Sequence, residues 1–156
     1  MRHHILPSTL AIVLLVATSA AAVGGNKAAY VGGTVTTVKE KAEGPLDIRD
    51  NATLTLSTKD GSLKIPYAAI ESLEYGQKAG RRVAVAVLVS PLALFSKKRN
   101  HYLTIEFKDA DGKAQAAVLE LGKDIVRTAL TVVETRSGKK IEYQDDEARK
   151  SGIGGK

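Results

Sequence analysis

Apolar and polar residues alternate with a two-residue period along most of this chain, the pattern of strands with one face turned inward. Tyr30–Val38 (YVGGTVTTV), rich in β-branched residues, predicts the first strand, and Gly32-Gly33 marks a bulge or a close backbone approach within it. Lys39–Glu43 reads as a charged turn. Pro45–Ile48 and Ala52–Thr58 follow as strands around Arg49-Asp50-Asn51, with Leu54 and Leu56 pointing inward. Lys59-Asp60-Gly61 is a hairpin turn, because Asp and Gly tolerate positive φ, and Leu63–Ile65 is a short strand ending at Pro66. Tyr67–Ala69 turns the chain into Ile70–Tyr75, where Ile70 is out of phase with Leu73 and a bulge or bend is expected. The clearest strand is His101–Phe107, with Leu103, Ile105 and Phe107 on one side and Tyr102, Thr104 and Glu106 on the other. Asp109-Ala110-Asp111-Gly112 turns it into Ala114–Leu121, whose inward set is Ala117, Leu119 and Leu121.

Two stretches break the alternation. Lys123–Arg136 carries Ile125, Val126, Ala129, Leu130 and Val133 on one stripe, which predicts the chain's single helix; Asp124 suits its start, and Arg136 and Gly138 its end. Lys139–Tyr143 adds a final extended piece, and residues 144–156 read as a polar disordered tail. The other stretch is Val83–Phe95, thirteen almost uninterrupted apolar residues between Arg81-Arg82 and Lys97-Lys98-Arg99.

The basic-flanked stretch supports three readings. Alternating Val and Ala from Val83 to Val89 suit a buried strand, with Ser90-Pro91 as a turn. As a membrane-dipping loop, Leu88, Leu92, Leu94 and Phe95 would insert while Arg81, Arg82, Lys97, Lys98 and Arg99 meet anionic headgroups. As an exposed apolar face, it would pair with a partner protein or with itself. At helical rise it reaches about 20 Å, too short for the ~30 Å hydrocarbon core of a bilayer.

The N-terminus has the layout of a secretory signal peptide: Arg2 in the first segment, an apolar run at Leu10–Ala17, and small residues at Thr18–Ala22. A cut after Ala22 (after Ala20 is nearly as good) leaves a flexible leader over 23–28, a domain over 29–143 that carries the 81–99 insertion, and the tail. The expected location is a bacterial periplasm or cell surface. The chain has no cysteine, which excludes disulfides, thiolate metal sites and a lipoprotein anchor. Lys and Arg number 23 against 17 Asp and Glu; the cut removes only Arg2, so the exported form carries one charge less than the full +6. That balance allows attraction to an anionic surface, and no motif points to nucleic acid.

Taken together, GPLDI…ATLTLS…GSLKIPYAAIESLEY resembles the first half of a GRAM or bacterial PH-like domain, with Ile65-Pro66-Tyr67-Ala68-Ala69-Ile70 as the distinctive corner. HYLTIEF, DADG, AAVLEL and one amphipathic helix match the second half, over about residues 44–136. The chain is also similar to small exported bacterial proteins carrying GRRV…SPLALFSKKR…HYLTI. The resemblance implies an α+β, mostly β fold: a partly open antiparallel barrel of about seven strands closed by a C-terminal helix. It also implies lipid or protein binding without catalysis, and it transfers no binding residue.

Candidate chemistry is sparse. His101 is the one histidine beyond the leader; with no serine elbow in view it reads as a polar strand-end residue. Placing Gly112 at the glycine of a calcium loop puts Phe107 and Val118 at ligand positions, so a hairpin turn is the better reading. Asp145-Asp146-Glu147 reads as a solvated carboxylate run. Asn51-Ala52-Thr53 matches a glycosylation sequon by chance. The expectation is a non-enzyme without cofactor or metal, binding an anionic membrane peripherally through the 81–99 loop. The alternative is a soluble periplasmic protein-interaction or oligomerisation module with residues 83–95 buried.

Overall fold

The computed structural model describes residues 25–78 and 100–153, so the expected signal peptide and the 81–99 insertion lie outside the described residues. Eight strands form one sheet: β1 (Lys27–Gly33), β2 (Glu43–Asp47), β3 (Thr53–Thr58), β4 (Gly61–Pro66), β5 (Ile70–Gly76), β6 (His101–Lys108), β7 (Ala114–Leu121) and β8 (Ile141–Tyr143). Their order is β4-β3-β2-β1-β7-β6-β5-β8. Neighbours are antiparallel except β5 and β8, which run parallel with Leu73 opposite Ile141 and Tyr75 opposite Tyr143. The class is α+β and mostly β, but the sheet is mixed and is not a closed barrel. Two helices, rather than one, complete the described part: α1 (Val126–Ser137) and α2 (Asp146–Ile153).

Local chemistry sets most boundaries. The β3–β4 hairpin turns through Lys59-Asp60, with Thr58 opposite Gly61. Tyr67–Ala69 is a 3-10 turn after Pro66, and the expected irregularity follows it between Ile70 and Ser72. Asp109 organises the β6–β7 turn by accepting hydrogen bonds from the Asp111 and Lys113 amides, while Gly112 takes the positive φ of 77°. α1 ends at Gly138, whose left-handed φ of 69° lets its amide bond the Glu134 carbonyl at 3.0 Å.

Two expectations need correction. The first strand starts at Lys27 and stops at Gly33, so Lys27 and Ala28 belong to the sheet and not to a flexible leader. Its bulge falls between Tyr30 and Gly32; Gly33, at φ 145°, lies so close to β7 that an added Cβ would stand 2.1 Å from the Ala116 carbonyl oxygen. Beyond it, Thr34 leaves the ladder and uses its hydroxyl to accept from the Ala116 amide at 2.9 Å. The polar tail is helical over Asp146–Ile153, because Asp145 caps it: its carboxylate accepts the Ala148 amide at 2.7 Å. Ala148 and Gly152 are small enough to let α2 lie against Leu130, Tyr75 and Tyr143, while the acidic run at the helix start stays exposed, the solvated carboxylates expected of it.

The core sits on one face of the sheet. Leu54, Leu56, Ile65, Leu73, Leu103, Ile105 and Leu119 meet Val126, Ala129, Leu130 and Val133 of α1 there, together with Ala148 of α2. Arg136 ties the far end of α1 to the β2–β3 turn. Its Nη1 donates to the Ile48 carbonyl and, at 2.7 Å, to the Asp50 carbonyl, while the guanidinium lies 5.5 Å from the Tyr67 ring centroid.

Candidate functional site

All nine residues expected to contact a membrane (Arg81, Arg82, Leu88, Leu92, Leu94, Phe95, Lys97, Lys98 and Arg99) lie outside the described residues. The structure does describe where that stretch leaves and rejoins the fold. The chain departs just after β5 and returns at Asn100, just before β6, and these two strand ends are paired, Gly76 opposite Tyr102.

The face of the sheet away from α1 is the main surprise. Registered rows cross it: Ala29, Glu120 and Tyr102; then Gly32, Val118, Thr104 and Glu74; then Ala116, Glu106 and Ser72. Alternation predicts an ordinary solvent face for these positions. Instead Tyr102, Thr104, Ala116 and Val118 are no more than 3 % exposed, although none of them belongs to the core under α1. Both helices place their buried residues in the first core or against it.

This face also carries carboxylates. Glu74 is 7 % exposed; one oxygen accepts from Gln144 Nε2 at 2.8 Å, and the other, Oε2, is buried with no hydrogen-bond partner. A buried, half-satisfied carboxylate costs free energy, so such a group normally has a cation or donor at hand. Glu106 accepts from the Ser72 hydroxyl at 2.6 Å, and Glu120 stands beside Tyr102 in the register. Burial raises the pKa of Tyr102, whose hydroxyl accepts from Asn100 Nδ2 at 3.3 Å.

His101 lies at the start of β6, as expected, but in a specific arrangement. Its Nδ1 is 2.6 Å from the Tyr75 hydroxyl, which is 3.2 Å from Ser151 Oγ, and Ser151 donates to the Ala148 carbonyl at 2.9 Å. Three contacts need three hydrogens. The serine's goes to the carbonyl, so the tyrosine's goes to the serine and the histidine donates from Nδ1. Protons therefore point away from His101, the opposite of what a serine nucleophile needs from its base. Burial lowers the His101 pKa and raises that of Tyr75. The imidazole stacks on Tyr75 with centroids 6.2 Å apart, so this cluster fastens α2 to β5.

On the helix side, an open groove of about 510 Å³ runs between β2 and the start of α1. Pro45, Leu46, Ile48 and Ile125 form its apolar floor, and Asp47, Arg49 and Asp124 its charged rim. Arg49 forks onto Asp47 at 3.0–3.1 Å and donates its own amide as well, which holds the Asp47 carboxyl down at about 2. Sequence reasoning marked Arg49 only as a turn residue; an Asp-x-Arg spacing at a strand end was the available signal. Among the described residues, no group of three or more His, Cys, Asp and Glu side chains could hold a metal ion, and no helix is long and apolar enough to cross a membrane.

Comparison of the chain with family models, with curated proteins and with solved structures found no match.

Proposed function

We propose that this chain is an exported, non-catalytic binding module of PH/GRAM-like build that acts on a protein partner, with residues 83–95 packed into its own fold. The observation that carries the reading is the burial of Tyr102, Thr104, Ala116 and Val118 on the face away from α1. A sheet with one wet face leaves such positions exposed, and here four of them are shut from water. The PH-like part of the reading rests on the Ile65-Pro66-Tyr67 corner and on a helix that follows the last long antiparallel strand and packs over the core. The non-catalytic part rests on the direction of the His101 hydrogen bonds. The partner surface is the groove between β2 and α1: open, short-floored and rimmed by charge, it suits a protein surface better than an enclosed small ligand.

The test is co-sedimentation of the exported chain with anionic and with neutral vesicles at low and high salt. The expected result is a chain that stays in the supernatant throughout. Pelleting that requires anionic lipid and weakens with salt would overturn the reading in favour of peripheral membrane association through the basic-flanked run Arg81–Arg99.

A further inference from the structure

We propose that the groove between β2 and the start of α1 takes an extended segment of the partner protein that alternates basic with apolar residues, one basic residue of it completing the open edge of β2 at Leu46 and Ile48. This rests on the reading above, in which the groove is the partner surface, and adds the form and charge of its occupant.

The first observation lies in the main chain. The Leu46 amide donates to the Asn26 carbonyl at 3.3 Å, so the peptide groups of Leu46 face away from β3. Asp47 stands opposite Thr55 of β3, and Ile48, one residue further, faces the same way as Leu46. Register with β1 ends at Lys27 opposite Pro45, and beyond Asn26 no described strand lies along this side of β2. At the far end Arg136 donates to the Ile48 and Asp50 carbonyls. Between these two ends, the Leu46 carbonyl and the Ile48 amide have no hydrogen-bond partner among the described residues. Both residues line the groove, which is open. Unpaired main-chain groups on a strand edge are a template for another extended chain.

The second observation is how that pair can be completed. An antiparallel neighbour exchanges both bonds with one residue, but Asn26 holds the Leu46 amide and Arg136 the Ile48 carbonyl. A parallel neighbour needs the other combination: one residue donates to the carbonyl before its opposite number and accepts from the amide after it. The Leu46 carbonyl and the Ile48 amide are that combination around Asp47. The edge strand β4 is a poorer template, since Pro66 closes it without an N–H and Lys64 stands exposed on it.

The third observation is charge. Successive residues of a strand face opposite sides, so the residue opposite Asp47 looks to the rim and its neighbours look to the floor at Ile48 and Ile125. On the rim Arg49 is neutralised by its fork on Asp47, whereas Asp124 pairs with no cation among the described residues. The uncompensated charge is negative, which selects Lys or Arg at the rim-facing position and apolar side chains beside it.

The probe is the peptide acetyl-Lys-Val-Lys-Val-Lys-amide, titrated into the isotope-labelled full chain and followed by NMR. Saturable shifts centred on Leu46, Ile48 and Asp124, with slowed exchange of the Ile48 amide, are expected. Methylating the central lysine's main-chain nitrogen removes the donor to Leu46 and should weaken binding about tenfold. Glu in place of every Lys should weaken it about tenfold, and Asp124→Asn should weaken the lysine peptide about threefold. No shift at Ile48, or equal binding of the methylated or the glutamate peptide, would overturn the proposal. An Ile48 amide already protected in the free chain would give this edge to the chain itself, and protection that grows with protein concentration would give it to a second copy; either result overturns the proposal. Vesicle pelleting separates the two levels. No shift at Ile48 in a chain that stays in the supernatant overturns this inference alone, whereas no shift with salt-sensitive pelleting overturns the underlying reading too.

Discussion

The two faces of the sheet across β6 and β7 are built from adjacent residues and have different accounts. Leu103, Ile105, Leu119 and Leu121 share one core with Val126, Ala129, Leu130 and Val133 of α1. Tyr102, Thr104, Ala116 and Val118 are equally shut from water, yet their residue types are small or mixed in polarity. The first face is read from side-chain size, because large aliphatic groups at every second position must find a core. The second is decided by what lies over it, and a Thr or an Ala gives no notice of that. A strand buried on both faces is the mark of a central layer, and here antiparallel strands occupy it.

That comparison breaks most sharply at neighbouring residues of β7. Leu119→Asp and Val118→Asp each place a carboxylate where water is excluded, and each is expected to cost about 4 kcal/mol or more. Urea unfolding checks both. A Val118→Asp variant within about 0.5 kcal/mol of the parent would return that face to ordinary surface.

A smaller effect tests how α2 closes the end of the first core. An added side chain at Gly152 meets Leu130 and Tyr75 atoms at 3.0 Å. Gly152→Val should cost about 1–3 kcal/mol, and amide exchange should speed up in α2 while β6 and β7 stay protected. Uniform acceleration across the sheet would mean that α2 is more than a local closure. Arg136→Met removes the two carbonyl contacts and the Tyr67 stacking at the opposite end of that core. Its expected cost is about 1.5–3 kcal/mol, measured by the same urea midpoint; no change would reduce those contacts to decoration.

The smallest effect is a pH dependence at His101. Burial holds its folded pKa below the ordinary 6.5, so the unfolded chain binds the proton more readily. The stability this contributes is complete above about pH 6.5 and is lost as the pH falls through the lower folded value. Because Nδ1 already carries a proton, protonation falls on the other ring nitrogen and leaves the Tyr75 bond in place, which keeps the effect modest. Thermal unfolding between pH 7.5 and 5 should show a shallow decline that His101→Gln flattens. An unchanged slope in that variant would place the titration elsewhere.

Much of the fold was legible because it rests on local rules. The β3–β4 and β6–β7 turns, the bulge after Ile70, the α1 stripe and its Gly138 end all follow from turn residues and periodicity. The β1 limits were not, because Thr34–Val38 has strand composition but leaves the ladder where Gly33 meets the Ala116 carbonyl. The 144–153 helix was missed because its mean composition is polar; its Asp145 cap and the small residues Ala148 and Gly152 were the signals present. Of the candidate sites, His101 was legible as a strand-end polar residue, whereas its Tyr75–Ser151 partners come from segments 26 and 50 positions away. The β2–α1 groove could not be foreseen, since it joins residues from Asn26 to Thr128.

By itself, the sequence determined the strands, their turns and the main helix, because backbone propensity and side-chain period act over a few residues. It also determined what the chemistry lacks, since a chain without cysteine makes no disulfide. Only the tertiary structure decided that the sheet stays open with β8 parallel to β5, that the tail folds back as α2, and that the second face is covered. The reason is physical: burial belongs to the space between segments distant in sequence, and no local pattern of small and polar residues records what comes to fill it.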